Sequence, residues 1–269
     1  MAERPDTILV LGMHRSGTSA LTRTLALCGA ALPRTLFPPT DGDNETGYWE
    51  STPIIEFHQR LLWKLDTGFL DPRCPRPTWF QSADAKIAAD ELAAIIESEW
   101  SSAAPWVMKD PRMCRLVPLW RTALAKLGRV PFALHCLREP SEVAASLARR
   151  NGFSRPTAEL LWAQHVALAE RDTRDMPRNF IQYHSLLNDW RTTLVRIATQ
   201  IPGLDLESRR DEINQFLDPT RRRQRDDGHN ANSEVVTRLR RTMFASCNGS
   251  EPDCCVVDDV LQSITRRFV

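Results

Sequence analysis

Short runs of apolar residues punctuate this chain, and most of them stop at a glycine or a charged residue. Thr7-Ile8-Leu9-Val10-Leu11 reaches Gly12 without a polar interruption. It predicts a strand over 7–12 buried on both faces, because a central parallel strand has no solvent side to mark with polar residues. Trp106-Val107-Met108 predicts a second strand, ended by Lys109-Asp110-Pro111-Arg112, and Pro131 to Leu137 a third, stopping at Arg138. A fourth is expected from Asn179 to Tyr183. Between them the period changes to that of a helix. Residues 16–31 are good helix formers with Leu21, Leu25 and Cys28 on one stripe. Thr52 to Leu65 turns Ile54, Ile55, His58, Leu61 and Leu62 inward, and Ser82 to Trp100 sets Ile87, Leu92, Ile95 and Ile96 behind a serine cap. Glu139-Pro140 opens a further helix, with proline where a first turn tolerates it, and a long helix is expected around Thr157 to Arg171. Residues 33–47 and 71–81, rich in proline and polar residues, read as loops. Strands alternating with helices predict an α/β fold, a three-layer sandwich with a central parallel sheet flanked by helices.

The C-terminal part follows another pattern. Arg221-Arg222-Arg223-Gln224-Arg225 is a basic run, Asp226 to Ser233 a polar linker, and 234–269 predicts one or two amphipathic helices around a cysteine-containing turn. They read as a helical extension of one domain spanning 1–269. A chain of 269 residues, 42% hydrophobic and 26% charged, can bury a core of that size.

With 35 Lys and Arg against 34 Asp and Glu, no global field draws the chain to nucleic acid or an anionic membrane. Any anion site must be local. The seven cysteines contain no C-x-x-C pair and are odd in number, which suits neither a disulfide framework nor a zinc cluster. Reduced, mostly buried thiols and no metal are expected. The first apolar run breaks too early for a signal peptide or membrane span, so the cytoplasm is the expected compartment.

The candidate chemistry begins where the first strand turns into a helix, at Gly12-Met13-His14-Arg15-Ser16-Gly17-Thr18-Ser19. Free backbone N–H groups and the helix dipole favour an anion there. The glycines have the spacing of a nucleotide P-loop, yet Thr18 stands where the lysine would be. Without that lysine, triphosphate chemistry is disfavoured, because it serves the β- and γ-phosphates. Arg15 can still set a cation beside one phosphate. Farther on, Arg138 ends a strand and Ser146 lies in the following helix, within Leu137-Arg138-Glu139-Pro140-Ser141-Glu142-Val143-Ala144-Ala145-Ser146. An arginine fork and a helix hydroxyl can meet one phosphate at the carboxyl edge of a sheet.

Together, in this order, the two motifs resemble those of the sulfotransferases that use 3′-phosphoadenosine 5′-phosphosulfate (PAPS). That family has [K/R]-S-G-T-[S/T/W] after the first strand, and later strand, arginine, Asn or Glu, Pro, and serine at plus eight. The resemblance covers roughly residues 7–190, is of the bacterial type, and implies a P-loop-like sulfotransferase fold. It implies that His14, Arg15, Ser16, Gly17, Thr18 and Ser19 bind the 5′-phosphate, with Arg15 also stabilising the leaving oxygen. It implies that Arg138 and Ser146 hold the 3′-phosphate. Trp106 to Arg112 is similar to the family's K-D-P segment, which makes Lys109 the cation beside the transferred sulfuryl group. The hormone- and phenol-type members carry a histidine base just after this lysine; Pro111 stands there, so the base must come from elsewhere. Phe216-Leu217-Asp218-Pro219 echoes a late basic segment of the family, so Arg221, Arg222 or Arg223 either closes over the 3′-phosphate or belongs to a solvated run.

Glu45-Thr46-Gly47-Tyr48-Trp49-Glu50 resembles the G-[Y/F]-[F/W]-E segment of bacterial members. Glu50 is the expected general base, or else a carboxylate that only caps a helix; Asp110 and His58 are the alternatives. Trp49, Trp63, Trp79, Trp106 and Trp162 can line an acceptor pocket or belong to the core. The acceptor is expected to be a small molecule, carbohydrate or lipid with a hydroxyl or amine. A P-loop kinase using Asp110 on magnesium, and a non-catalytic domain binding adenosine 3′,5′-bisphosphate (PAP), are the competing functions.

Overall fold

The computed structural model describes residues 4–41, 43–217 and 233–267. In chain order the elements are β1 (Thr7–Leu11), α1 (Thr18–Leu27), α2 (Thr52–Lys64), α3 (Ala83–Glu99), β2 (Trp106–Lys109), α4 (Val117–Lys126), β3 (Pro131–Leu137), α5 (Pro140–Asn151), α6 (Arg155–Asp172), β4 (Arg178–Gln182), α7 (Tyr183–Asn188), α8 (Trp190–Ala198), α9 (Arg210–Phe216), α10 (Glu234–Ser246) and α11 (Cys254–Thr265). Short 3-10 turns occupy Pro77–Gln81 and Pro111–Arg115.

The four strands form a parallel sheet in the order β2-β1-β3-β4, with Thr7 opposite both Trp106 and Pro131, and Ala133 opposite Arg178. β1 is wholly buried, and its alternate side chains feed opposite layers. Leu9 and Leu11 pack with α2, α3 and α4, whereas Ile8 and Val10 pack with α1, α7, α8 and α9. Each face therefore has its own apolar layer, which explains the uninterrupted hydrophobic run. The α/β sandwich expected from the sequence is the observed architecture. A third cluster joins α5 and α6 to α10 and α11, so the C-terminal helices pack onto the body through α6.

Several local expectations need correction. The first helix starts at Thr18 rather than near residue 16, because Arg15 (φ 70°) and Gly17 (φ 88°) are both left-handed. It ends at Leu27, where Gly29 takes φ 107°. Ile87 is not on the inner face of α3 but 66% exposed. It lies five residues before Leu92, roughly 140° round the helix; Leu92 and Ile96 are inward as expected, and Ala85, Ala88, Ala89 and Ala93 fill the rest of the stripe. Trp63, expected in a pocket or in the core, is 79% exposed and belongs to neither. All seven cysteines are free; Cys28, Cys114 and Cys136 are buried, while Cys254 and Cys255 are exposed. Among the described residues, no helix is long and apolar enough to cross a membrane.

Candidate active site

β1 is the inner strand from which the chain leaves first to one side and later to the other, and ligands of open α/β sheets gather at the carboxyl end of such a position. The loop that follows β1 is tightly seated. A Cβ on Gly12 would lie 2.7 Å from the Cys136 carbonyl oxygen, and the Gly12 N–H donates to Cys114 Sγ at 3.1 Å. Only glycine lets the loop approach β3 this closely. Gly17 combines a left-handed backbone with an aromatic lid, since a Cβ there would fall 2.0 Å from the Tyr183 ring. Gly17 also caps α1 without a side-chain hydrogen bond. The first N–H groups of a helix have no intrahelical partner, and Gly17, Thr18, Ser19 and Ala20 all line the cavity at this end of the sheet. Among the described residues, Ser16 Oγ and His14 Nε2 are buried without a hydrogen-bond partner. Burial, reinforced by Arg112, holds His14 well below the ordinary histidine range.

The second motif folds against the first. Arg138 emerges from β3, and its Nη1 donates to the Arg15 carbonyl oxygen at 2.9 Å while its Nε donates to Glu142 at 2.7 Å. Its guanidinium lies over the Tyr183 ring, 5.1 Å from the centroid, and Trp162 Nε1 donates to its carbonyl. Ser146 accepts a hydrogen bond from Arg15 Nε at 2.9 Å. The other arm of Arg15 meets Asp43 Oδ1 at 2.6 Å.

Lys109 ends β2. Its ammonium donates to Ser19 Oγ at 3.1 Å and to the Tyr48 carbonyl oxygen at 3.2 Å, and forms a buried ion pair with Glu50. Glu50 is not the cap of α2; Ser51 is, accepting from the Ile54 N–H. Glu50 is thereby left facing the cation. Burial pushes its carboxyl above the ordinary range, and Lys109 opposes that only in part.

Asp110 and His58 have other partners. Asp110, fully buried, accepts from the Arg112 N–H at 2.8 Å, from Arg112 Nη1 at 2.9 Å and from His58 Nδ1 at 2.9 Å. Trp120 Nε1 donates to His58 Nε2 at 2.9 Å, so Nδ1 carries the proton that Asp110 accepts. Burial alone would raise Asp110, but Arg112 and His58 hold it far below the carboxylate range. The carboxylate that a kinase would set on magnesium is thus consumed in a structural chain from Trp120 to Arg112.

His14, Arg15, Gly17, Thr18, Ser19, Glu50, Lys109, Arg138 and Ser146 therefore border one cavity of about 550 Å³. Ser16 is buried beside them. Arg221, Arg222 and Arg223 lie outside the described residues, although Phe216 and Leu217, just before that stretch, border the cavity. None of the five tryptophans lines it, and Trp106 and Trp162 are buried in the core. Sequence reasoning missed Asp43, Tyr183 and Arg150. Arg150 had a legible signal, standing one helical turn after Ser146; the other two are brought in by a long loop and by β4. Arg15, Lys109, Arg138, Arg149 and Arg150 border the cavity against three carboxylates, Asp43, Glu45 and Glu50. The lining thus carries more cations than carboxylates in a chain whose net charge is only +1. Two anionic groups on one ligand can be held, one at the α1 terminus and one at α5, with an ammonium and a carboxylate beside the first.

Among the described residues, no group of three or more His, Cys, Asp or Glu side chains is arranged to hold a metal ion. No protein-family model matches the chain, and no curated protein does. Solved structures do. The sulfotransferase domain from the Synechococcus PCC 7002 olefin synthase is 16% identical, with 98% of this chain and 97% of that one covered and a TM-score of 0.49. Sulfotransferase STF9 from Mycobacterium avium is 15% identical, with 99% and 78% covered and a TM-score of 0.49. Sulfotransferase STF1 from Mycobacterium tuberculosis H37Rv is 16% identical, with 98% and 77% covered and a TM-score of 0.44. At these identities and TM-scores the likenesses carry no conclusion about chemistry, which stands on the residues of the cavity.

Proposed function

We propose that this protein is a sulfotransferase, taking the sulfuryl group of PAPS and passing it directly, in line, to a hydroxyl or amine of a small-molecule, carbohydrate or lipid acceptor. The supporting observation is the 2.9 Å hydrogen bond from Arg15 Nε to Ser146 Oγ, which joins two phosphate-type motifs 131 positions apart. A ligand with a phosphosulfate at one end and a phosphate at the other matches that pairing. The residues fit it: the loop needs glycine at both 12 and 17, and Ser16 Oγ and His14 Nε2 are buried polar atoms with no partner among the described residues.

PAPS supplies an activated sulfur, so the acceptor oxygen or nitrogen bonds to sulfur while the sulfur–oxygen bond to the 5′-phosphate breaks, and the electron pair leaves on that phosphate. The chain supplies the rest. The α1 N–H groups and the loop from His14 to Ser19 bind the 5′-phosphate, Arg15 stabilises charge on its leaving oxygen, and Arg138 and Ser146 bind the 3′-phosphate. Lys109, beside Ser19, stabilises charge that grows in the transition state. Glu50 accepts the acceptor's proton. Binding through amides, arginines and hydroxyls requires no metal. One domain over 1–269 and a cytoplasmic setting, where PAPS is made, belong to the same proposal, and Arg221 or Arg222 is proposed to close over the 3′-phosphate.

Incubation with sulfur-labelled PAPS and a panel of sugars, phenols, lipids and peptide hydroxyls tests it. Label should appear on an acceptor with release of an equal amount of PAP. Transfer of labelled phosphate from ATP, with PAPS left intact, would establish the kinase instead.

A further inference from the structure

The loop between α1 and α2 brings one carboxylate, Asp43, into the space between the β1 loop and α5. Its Oδ1 accepts from Arg15 Nη1 at 2.6 Å. Its Oδ2 accepts from the Tyr48 hydroxyl at 2.9 Å and from Arg150 Nη1 at 3.3 Å. The same Arg15 guanidinium reaches Ser146 Oγ through Nε. Arg150 follows Ser146 by four residues in α5, so the two share a helix face. Two guanidinium groups, bracketed by the Ser146 and Tyr48 hydroxyls, thus converge on one anionic group. Such a cradle suits a phosphate, whose oxygens offer more acceptor positions than a carboxylate. Asp43 is ionised in it: burial would raise its carboxyl, but the Tyr48 hydroxyl, Arg15 and Arg150 hold it below the ordinary range.

We infer that Asp43 is an internal counter-ion which a ligand phosphate displaces, and that Arg150, freed from it, joins Ser146 on the 3′-phosphate while Arg15, released by the same displacement, turns to the 5′-phosphate. This deepens the proposed function, since it rests on the cavity being the donor site. Between binding events Asp43 keeps Arg15 and Arg150 from repelling each other. During turnover it competes with donor and product alike, which lowers affinity for both and favours release of PAP. Arg150 is then a ligand-binding residue that neither phosphate motif contains.

Calorimetric titration of the full chain with inorganic phosphate, and separately with PAP, tests the inference in wild type, Asp43→Asn, Asp43→Ala, Arg150→Ala and Asp43→Asn/Arg150→Ala. Removing a competing charge-assisted pair should tighten both ligands by about tenfold in either Asp43 variant. Arg150→Ala should cost a larger factor in the Asp43→Asn background than alone, because Arg150 is no longer neutralised there. Far-UV circular dichroism and the ligand-free melting temperature establish that each variant is folded. Unchanged or weaker phosphate binding in both Asp43 variants overturns the inference and makes Asp43 a residue that merely positions Arg15. Tighter phosphate with no PAP binding in any variant keeps the counter-ion and refutes the PAPS donor instead.

Discussion

Glu50 and Lys109 are both almost withdrawn from water, at 6% and 7% exposure, and each is the other's main counter-charge. A buried carboxylate beside one ammonium is a stronger base than an exposed one, because burial raises its proton affinity more than the cation lowers it. Replacing Glu50 by Gln keeps the shape and removes the basicity. PAP affinity should stay unchanged while kcat falls by about 10²–10⁴; near-normal turnover would eliminate Glu50 as the base. The sign of the pH dependence follows. Protonated Glu50 cannot accept a proton, so kcat should fall as pH drops, and the fall should set in above the ordinary glutamate value of about 4.3. Lys109 and Arg138 should separate kinetically. On the proposed function Arg138 contacts the donor in ground and transition states, so Arg138→Ala should mainly raise the donor KM. Lys109 is proposed to meet charge that develops later, so Lys109→Ala should mainly lower kcat. A Lys109 variant that changes only the donor KM would remove it from the transition state.

At the scale of elements, the β1-loop-α1 unit concentrates the site's backbone demands. Gly17 sits at φ 88° with the Tyr183 ring where a Cβ would go. Gly17→Ala should therefore cost about 1–3 kcal/mol in a urea titration and weaken phosphate binding. A neutral substitution would mean that the loop is not held in this form. This unit also marks how far the sequence could be read. The strands were legible because β1 and β2 are buried on both faces, and an uninterrupted short apolar run suits little but a strand covered on both sides. The Arg138 and Ser146 pair was legible because both lie on one strand-helix unit, where local spacing fixes geometry. Asp43 was not, because its place depends on a long irregular loop meeting Arg15 and Arg150 across the cavity. Tyr183 was not, because only the register of β4 beside β3 brings it to the loop. Ile87 misleads because alanines, beside the buried Leu92 and Ile96, take the place on the stripe that periodicity assigns to it. His58, inward on α2 as expected, owes its partners to the turn after β2 and to α4, which no local pattern reveals.

For the whole molecule, the buried histidines set the response to acid. His135 and His165 are held to about 3, chiefly by burial, with Arg178 adding to the first and Arg115 to the second. Both are depressed from an ordinary value of 6.5. Below that value the unfolded chain takes up protons that the folded one refuses until pH approaches 3, so stability falls as pH falls across this window. Each histidine contributes a slope of up to about 1.4 kcal/mol per pH unit. Asp110 acts in the same direction lower down: its stabilisation is complete above the ordinary aspartate value of about 3.9 and is lost as pH drops through the lower folded value. The urea midpoint should decline steadily from about pH 7 to about pH 5, and His135→Gln should flatten the decline; a midpoint constant over that range would contradict the buried neutral histidines.

At the carboxyl end of the sheet five cationic side chains border one cavity, and the proposed function makes it the site of a single ligand with two anionic ends. Calorimetric titration with PAP in excess EDTA, compared with ATP under the same conditions and with ATP plus magnesium, tests that most directly. PAP should bind with an affinity that the chelator does not change, and ATP should bind more weakly with or without the metal. PAP binding that vanishes in EDTA, or ATP binding more tightly than PAP, would contradict the donor site and with it the proposed function.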